Sequence, residues 1–471
     1  MKRARLMARA AFTPLLILML LVGLVAAPVA HAFLGDFSLK DEKELGEKFV
    51  TLIKAQMPLV EDPEITEYVR DLVNRIAAQL PPQPYDIQSY VLRNSAINAF
   101  AIPGGSIFVH TGLLLEFDHE SQVAGVIAHE LGHVSQRHIV SRINKSRIVS
   151  YATLAGVLAG MLVGGSGNAK NAMIMGSMGA GQAAMLNYSR EDEREADHVG
   201  MNLLVKAGFP PTGLAEGFEI IRKKKWLGGT TMPAYLTTHP DVEERIDAMQ
   251  QRIAHLPEAE RLIAEDDTHF KRIQTLLRSR YTDPKDAVII FAQHKPATCL
   301  DLLGTGIAYS RLNKMTEATA AFEQALACGP NDSLILREAG RHAFTAGDYP
   351  RAASLLQKTA ILNPKDLMAL FFLARLYDEQ KHYGQAQTYY QRILRKLPED
   401  AEVNHYFGRS LGLGGDYFHA HLYLAYSALY ANDRKQLAFQ TDKARGLAKG
   451  KEQKDELDKL DKDVKKREEF W

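Results

Sequence analysis

Between residues 299 and 434 the chain repeats itself every 34 residues, and few sequence properties restrict a fold so tightly. Pro330, Pro364 and Pro398 are spaced by 34, as are Ala318, Ala352, Ala386 and Ala420, while Gly306, Gly340, Ala374 and Gly408 keep the same step. Tyr309 and Tyr377 fill one aromatic slot, and Phe322, Leu356, Tyr390 and Leu424 the next. Small residues at fixed places let paired helices approach, large ones fill the space between them, and each proline ends a second helix. An array built this way is quasi-one-dimensional and curves around a concave binding face.

A period of 34 with these slots is that of tetratricopeptide (TPR) repeats, about four of them, so 299–434 is expected to be an all-α solenoid. Cys299 and Cys328, the two cysteines of the chain, fall at the start of one helix and near the end of its antiparallel partner, where a disulfide is geometrically reasonable. Neither has the spacing of a thiol metal site. The segment 435–471 mixes charges at i, i+4, as in Asp455 with Lys459 and Asp458 with Lys462, and is expected to be a solvated capping helix. Residues 271–298 are expected to be a helical linker.

The first 32 residues combine a basic start, the apolar run "LLILMLLVGLVAA" and the small residues "AHA", which is the pattern of a secretory signal peptide cut after Ala32. Export to the periplasm follows as the expected location. With 57 Lys and Arg against 56 Asp and Glu, the chain has no electrostatic footprint for nucleic acid. The segment 150–186 is dominated by Gly, Ala, Met and Leu around "GGSGNAKN". It is expected to form two apolar helices that are buried beside the site or lie over it as a flap, and whether it touches the membrane is left open.

The intervening half, 33–270, opens on two stretches with helical spacing of apolar residues. "IQSYVLRNSAINAFAIPGGSIFVHTGLL" follows, reading as two or three short strands with a turn at Pro103 to Gly105. From an N-cap at Asp118 a helix is expected to run to about Asn144, carrying His129, Glu130 and His133 in an H-E-x-x-H pattern. Residues four apart on a helix share a face, so His129 and His133 can present two imidazole nitrogens to one ion with Glu130 beside them as general base. Catalytic zinc takes a third protein ligand and keeps a fourth position open.

That third ligand is not in the metzincin register, where Gln136 and Ile139 stand in place of the required Gly and His; His138 is one residue out and reads as a surface histidine or one that supports a metal ligand from behind. "NYSREDEREADHVGMNLL" is the better donor. Glu193 and Asp197, four apart, would share a helix face, with Glu193 on the metal and Asp197 accepting from a ligand imidazole. By spacing alone Glu191, Asp192 and Glu195 compete.

"HELGH" at 129–133 followed by "SREDEREAD" at 189–197 resembles the HtpX-like and prenyl-protein-endopeptidase-like zinc metallopeptidases. That family's S-R-x-x-E-x-x-A-D pattern is matched by Ser189, Arg190, Glu193, Ala196 and Asp197, and the resemblance implies Glu193 as the third ligand. Over the whole mature chain, the likeness is to the periplasmic branch of that family that carries TPR repeats. It implies an α+β, mostly helical chain: a gluzincin-type domain with a small β-sheet, then the solenoid. It also implies one Zn2+ per chain, an endopeptidase acting on misfolded outer-membrane β-barrel proteins, and docking of the assembly machinery on the TPR half. Family members have a His-Pro element near the zinc; here His239, in "TTHPDVEERI", is expected either to stabilise the oxyanion or to occupy the open zinc position at rest. "INAFAIPGG" is expected either to pair with a substrate strand or to be an ordinary inner strand. The alternative function is a chaperone or scaffold whose metal site is silent or held shut by His239.

Overall fold

A computed structural model describes residues 38–146, 188–227 and 234–468. The expected signal peptide 1–32 and apolar hairpin 150–186 lie outside the described residues. Among the described residues no helix is long and apolar enough to cross a membrane.

Two helices open the chain, α1 (Leu39–Gln56), started by a capping box between Ser38 and Asp41, and α2 (Pro63–Ala77), with Asp62 at its cap and Pro63 in its first turn. The β-rich stretch forms β1 (Gln88–Leu92), β2 (Ala99–Ile102) and β3 (Ser106–His110), in the order β1-β3-β2. β1 runs parallel to β3, and β2 antiparallel through a turn in which Gly104 and Gly105 have φ of 81° and 83°, where glycine carries no steric cost. Among the described residues β2 is therefore an edge strand.

Next come α3 (Thr111–Glu116), α4 (Glu120–Ser135) and α5 (His138–Ser146). The single helix expected from Asp118 to Asn144 is thus two. His119 stands at the cap, and the Gln122 side chain accepts from the Asp118 and His119 backbone N–H groups. The break comes at Arg137, whose φ of 53° is left-handed and cannot continue a helix. After the undescribed segment follow α6 (Arg190–Lys206), α7 (Thr212–Leu227), α8 (Ala234–Thr238), α9 (Val242–Ala254) and the short α10 (Glu258–Arg261).

Two helices, α11 (Thr268–Tyr281) and α12 (Pro284–Ala292), occupy the segment read as a linker. They are not a spacer. Phe270, Ile273, Leu276 and Leu277 of α11 are fully buried in a core that also holds Ile65, Leu114 and Phe117 on one side and Leu303, Ile307 and Phe322 on the other. The two halves of the chain share this core.

The solenoid is four helical hairpins: α13 (Cys299–Arg311) with α14 (Met315–Cys328), α15 (Ser333–Thr345) with α16 (Tyr349–Leu362), α17 (Leu367–Glu379) with α18 (Tyr383–Leu394), and α19 (Ala401–Leu413) with α20 (Tyr417–Tyr430). Cys299 and Cys328 form a disulfide across the first hairpin, with Cα atoms 5.5 Å apart. The expected capping helix is instead a further pair, α21 (Arg434–Leu447) and α22 (Lys451–Glu468), which buries Leu437, Ala444, Leu457 and Leu460 against α20.

Ion pairs fasten the solenoid to the other half. Arg280 of α11 bridges Asp62 and Glu338, Arg337 bridges Glu64 and Asp366, and Lys54 of α1 reaches Glu399 at 2.9 Å. Between the two halves lies a cavity of about 470 Å³, walled by Glu61, Arg280, Arg341, Phe371, Asp400 and Glu402.

Candidate metal centre

The site is built where α4 crosses α6. Both helices are glycine at the crossing: a Cβ on Gly132 would lie 2.7 Å from the Ala196 carbonyl oxygen, and one on Gly200 would lie 2.9 Å from the His129 Cα. Only glycine permits this approach, and it puts the Glu193 and Asp197 face of α6 directly on the His129 and His133 face of α4. Of the acidic residues that competed by spacing, Glu191 and Glu195 are exposed and Asp192 is half-buried, its backbone N–H capped by Ser189. Glu193 is 1% exposed.

His129 and His133 turn their Nε2 atoms to one another at 3.0 Å. Glu193 lies 3.4 Å from His133 Nε2 and 3.6 Å from His129 Nε2. A fourth donor comes from α8 and the residue after it: His239 Nδ1 is 2.9 Å from Glu193 Oε1 and 3.3 Å from His129 Nε2. These four side chains are buried, and the donor atoms they offer lie within 4.8 Å of one another. Tyr235 stacks on the His239 ring at 4.2 Å and Tyr188 at 5.1 Å, which holds the imidazole in place.

The geometry fits a divalent cation. His129 Nδ1 is 2.8 Å from Asp197 Oδ1, so a proton on Nδ1 donates to the carboxylate and leaves Nε2 as a lone pair. His133 Nδ1 lies 2.8 Å from His138 Nδ1. Two lone pairs pointing at each other repel unless a cation stands between them. The donor separations of 2.9–3.6 Å also bracket the edge of about 3.3 Å expected for a tetrahedron with bonds of ~2.0–2.1 Å.

Electrostatics suit the same purpose. Burial holds both His129 and His133 below the usual imidazole range, and a neutral ring is the ligating form. Burial pushes Glu193 and Asp197 upward, but the charges of His239 and Arg245 on Glu193, and of Arg245 on Asp197, outweigh it and keep both ionised. Arg245 does this from α9: its Nε and Nη2 grip Asp197 at 2.7 and 2.6 Å, its Nη1 contacts Glu193, and its guanidinium lies 4.5 Å over the Phe218 ring. Arg245 was not among the expected site residues. The signal was its place in the buried face Val242, Arg245, Ile246, Met249, where a cation has no business unless it is paired.

Glu130 points to the other side of the donor set, towards β2. Its Oε2 accepts from the Ala101 N–H at 3.1 Å, and Oε1 is buried, 3.4 Å from His239 Nε2 and with no hydrogen bond among the described residues. Burial is the main reason its carboxyl is pushed up to about 7, with the charge of His239 acting against it. The outward N–H of the sheet's edge strand and a carboxyl group that titrates near neutrality thus meet beside the four donors.

A buried set of groups that could hold a cation is thus joined to an array of helical hairpins. Residues 60–253 match Peptidase family M48 and residues 343–405 match a tetratricopeptide repeat; the chain carries an M48 peptidase domain followed by C-terminal TPR repeats. It is 27% identical over 308 residues to the putative beta-barrel assembly-enhancing protease of Vibrio cholerae, covering 64% of this chain and 63% of that protein. To the beta-barrel assembly-enhancing protease of Yersinia pestis it is 30% identical over 220 residues, 46% of this chain and 45% of that one. To the mitochondrial metalloendopeptidase OMA1 of Arabidopsis thaliana it is 35% identical over 161 residues, 34% of this chain and 30% of the relative. The matches thus span less than two thirds of these relatives.

Proposed function

We propose that the chain is a zinc-dependent endopeptidase of the periplasm, in which His129, His133 and Glu193 hold one Zn2+, Asp197 orients His129, and Glu130 is the general base. The observation that carries this reading is the convergence of the four buried donors on one point, with the orphaned Oε1 of Glu130 next to it. When bound, zinc supplies the Lewis acidity that acidifies a water and polarises a peptide carbonyl. Glu130, with a carboxyl near 7, takes the proton from the water at Oε1 and returns it to the departing amine. Along the side of β2 where the Ala101 N–H now reaches Glu130, the main chain of an extended substrate would pair with the strand, with little side-chain selection.

His239 stands among the donors, which favours the resting role expected for it over a role at the oxyanion. Substrate then enters by displacing this imidazole from between Tyr188 and Tyr235. The same observation supports the second reading, a chaperone or scaffold whose site His239 keeps shut. The names of the relatives and the cavity between the halves support docking of outer-membrane β-barrel proteins or their assembly machinery on the TPR side, and the leader 1–32 supports export.

Metal analysis and casein digestion of the wild type, Glu130→Gln and His239→Ala test the proposal. Zinc in all three is expected, with digestion by the wild type, none by Glu130→Gln and more by His239→Ala. Zinc without digestion in either the wild type or His239→Ala leaves the scaffold reading standing. A wild type that takes up no zinc refutes the peptidase.

A further inference from the structure

The two imidazoles of the metal centre are supported differently. His129 donates to a carboxylate, Asp197, itself neutralised by Arg245. Among the described residues no carboxylate stands behind His133 Nδ1. At 2.8 Å from its Nδ1 lies the Nδ1 of His138, a residue only 4% exposed although it begins the helix α5. His138 Nε2 in turn lies 3.2 Å from Glu195 Oε2, with Asp192 Oδ1 at 3.9 Å.

We propose that His138 is a positioning residue, which accepts the Nδ1 hydrogen of His133 and so fixes the ring that offers Nε2 to the metal. The inference rests on the metal-binding reading of the site. One assignment of protons satisfies every contact. His133 Nε2 faces His129 and Glu193 and carries the lone pair, so its hydrogen is on Nδ1. His138 Nδ1 must then accept, which places the His138 hydrogen on Nε2, where it donates to Glu195. The relay ends on a carboxylate 52% exposed to solvent. Hydrogen bonds of this kind set the orientation and basicity of a ligating imidazole.

The backbone is shaped to make this contact. Arg137 takes a left-handed φ of 53°, a conformation unfavourable for a side chain with a Cβ, and that turn brings His138 back beneath His133. The turn is anchored from α1: Arg137 Nε and Nη2 both donate to Oε2 of the buried Glu42, at 3.0 and 2.7 Å, while Oε1 of Glu42 accepts from the Tyr85 hydroxyl. A histidine that only filled space would have no need of this arrangement.

The test is zinc affinity of the full chain, stripped of metal and titrated against a chromogenic chelator, for the wild type, His138→Leu, His138→Gln and Glu193→Ala. His138→Leu removes the acceptor and is expected to weaken zinc binding by roughly 10- to 100-fold, with the melting temperature of the metal-free protein unchanged. His138→Gln, whose amide oxygen can accept, is expected to recover most of the loss. Wild-type affinity in His138→Leu, or equal loss in both variants with a lowered melting temperature, overturns the proposal. Nitrogen chemical shifts of histidine-labelled, zinc-loaded wild type decide without a variant: hydrogen on Nε2 of His138 and on Nδ1 of His133 is expected, and hydrogen on Nδ1 of His138 contradicts the relay. If Glu193→Ala loses zinc while the His138 variants do not, the metal site stands and the relay alone falls. A wild type without zinc brings down both.

Discussion

In the solenoid, what shapes one hairpin recurs 34 residues later. Asp332, Asp366 and Asp400 each cap a first helix by accepting backbone N–H groups of its opening turn, and Asn313, Gly347, Lys381 and Gly415 each take the left-handed conformation that ends it. In the half that matches the M48 family nothing recurs in this way among the described residues. The groups at the candidate metal centre come from positions 129–133, 193–197 and 239–245; two glycines let α4 and α6 touch, and His239 and Arg245 join them through Glu193 and Asp197. A repeat fixes a residue's neighbours by its register; a site fixes them by a single crossing. The first tolerates change by averaging over copies, whereas the second has no copies to average over.

The largest effect that would sharpen this contrast is expected from Arg245→Met. Removing the cation leaves Asp197 and Glu193 buried without it, and losing one partner of a buried pair costs about 3–5 kcal/mol. Denaturant unfolding of the metal-free protein should show a loss of that size, together with weakened zinc binding. A loss below about 1 kcal/mol would mean that the carboxylates relax into solvent and that the crossing is less rigid than described.

In the solenoid, the comparable single feature is the disulfide. Closing a loop of 29 residues is worth roughly 3–4 kcal/mol by the chain-entropy estimate, so Cys299→Ser with Cys328→Ser should lower stability by up to that amount while leaving zinc content intact. Loss of zinc in this double variant would break the contrast by coupling the first hairpin to the site.

A pH effect comes next. Burial lowers the His110 imidazole from 6.5 to about 4, against a smaller opposing contribution from the Ala96 carbonyl. The folded state thus binds fewer protons than the unfolded one between those values. The stability this represents is fully present above pH 6.5 and is lost as pH falls towards 4, a change of about 3 kcal/mol. His110→Phe should flatten that part of the stability–pH curve in urea titrations; an unchanged slope would assign the acid loss to other groups.

The smallest effects separate two glycines. Gly132→Ala drives a Cβ against a backbone carbonyl and is expected to cost about 1–3 kcal/mol. Gly340→Ala meets the Leu356 side chain at 2.9 Å, but the same register position is occupied by Ala374 one repeat later, so a change of less than about 1 kcal/mol is expected. Equal costs at the two positions would contradict the distinction between register and crossing.

The same distinction explains what could be read from the sequence. The solenoid was legible to within a few residues because its slots repeat, although the helices after residue 433 continue as a pair where one charged helix was expected. Spacing put Glu193 and Asp197 on one helix face but left Glu191, Asp192 and Glu195 in competition, and it was the resemblance of "SREDEREAD" to the family pattern that chose Glu193. Arg245, by contrast, lies 116 positions from His129, and only an arginine in an apolar register announced it. The end of α4 differs from the expected one because Arg137 adopts a left-handed backbone angle, in a turn that is tied to the distant Glu42 by an ion pair. For the same reason the sequence could leave His138 between surface and support, and the shared core of α11 could be mistaken for a linker.

The most direct measurement is anomalous scattering at the zinc edge from crystals of the metal-loaded protein. The account predicts one peak per chain, bounded by Nε2 of His129, Nε2 of His133 and the Glu193 carboxylate, with His239 on its fourth side. Density that places zinc elsewhere, or leaves these four side chains around water, would contradict it.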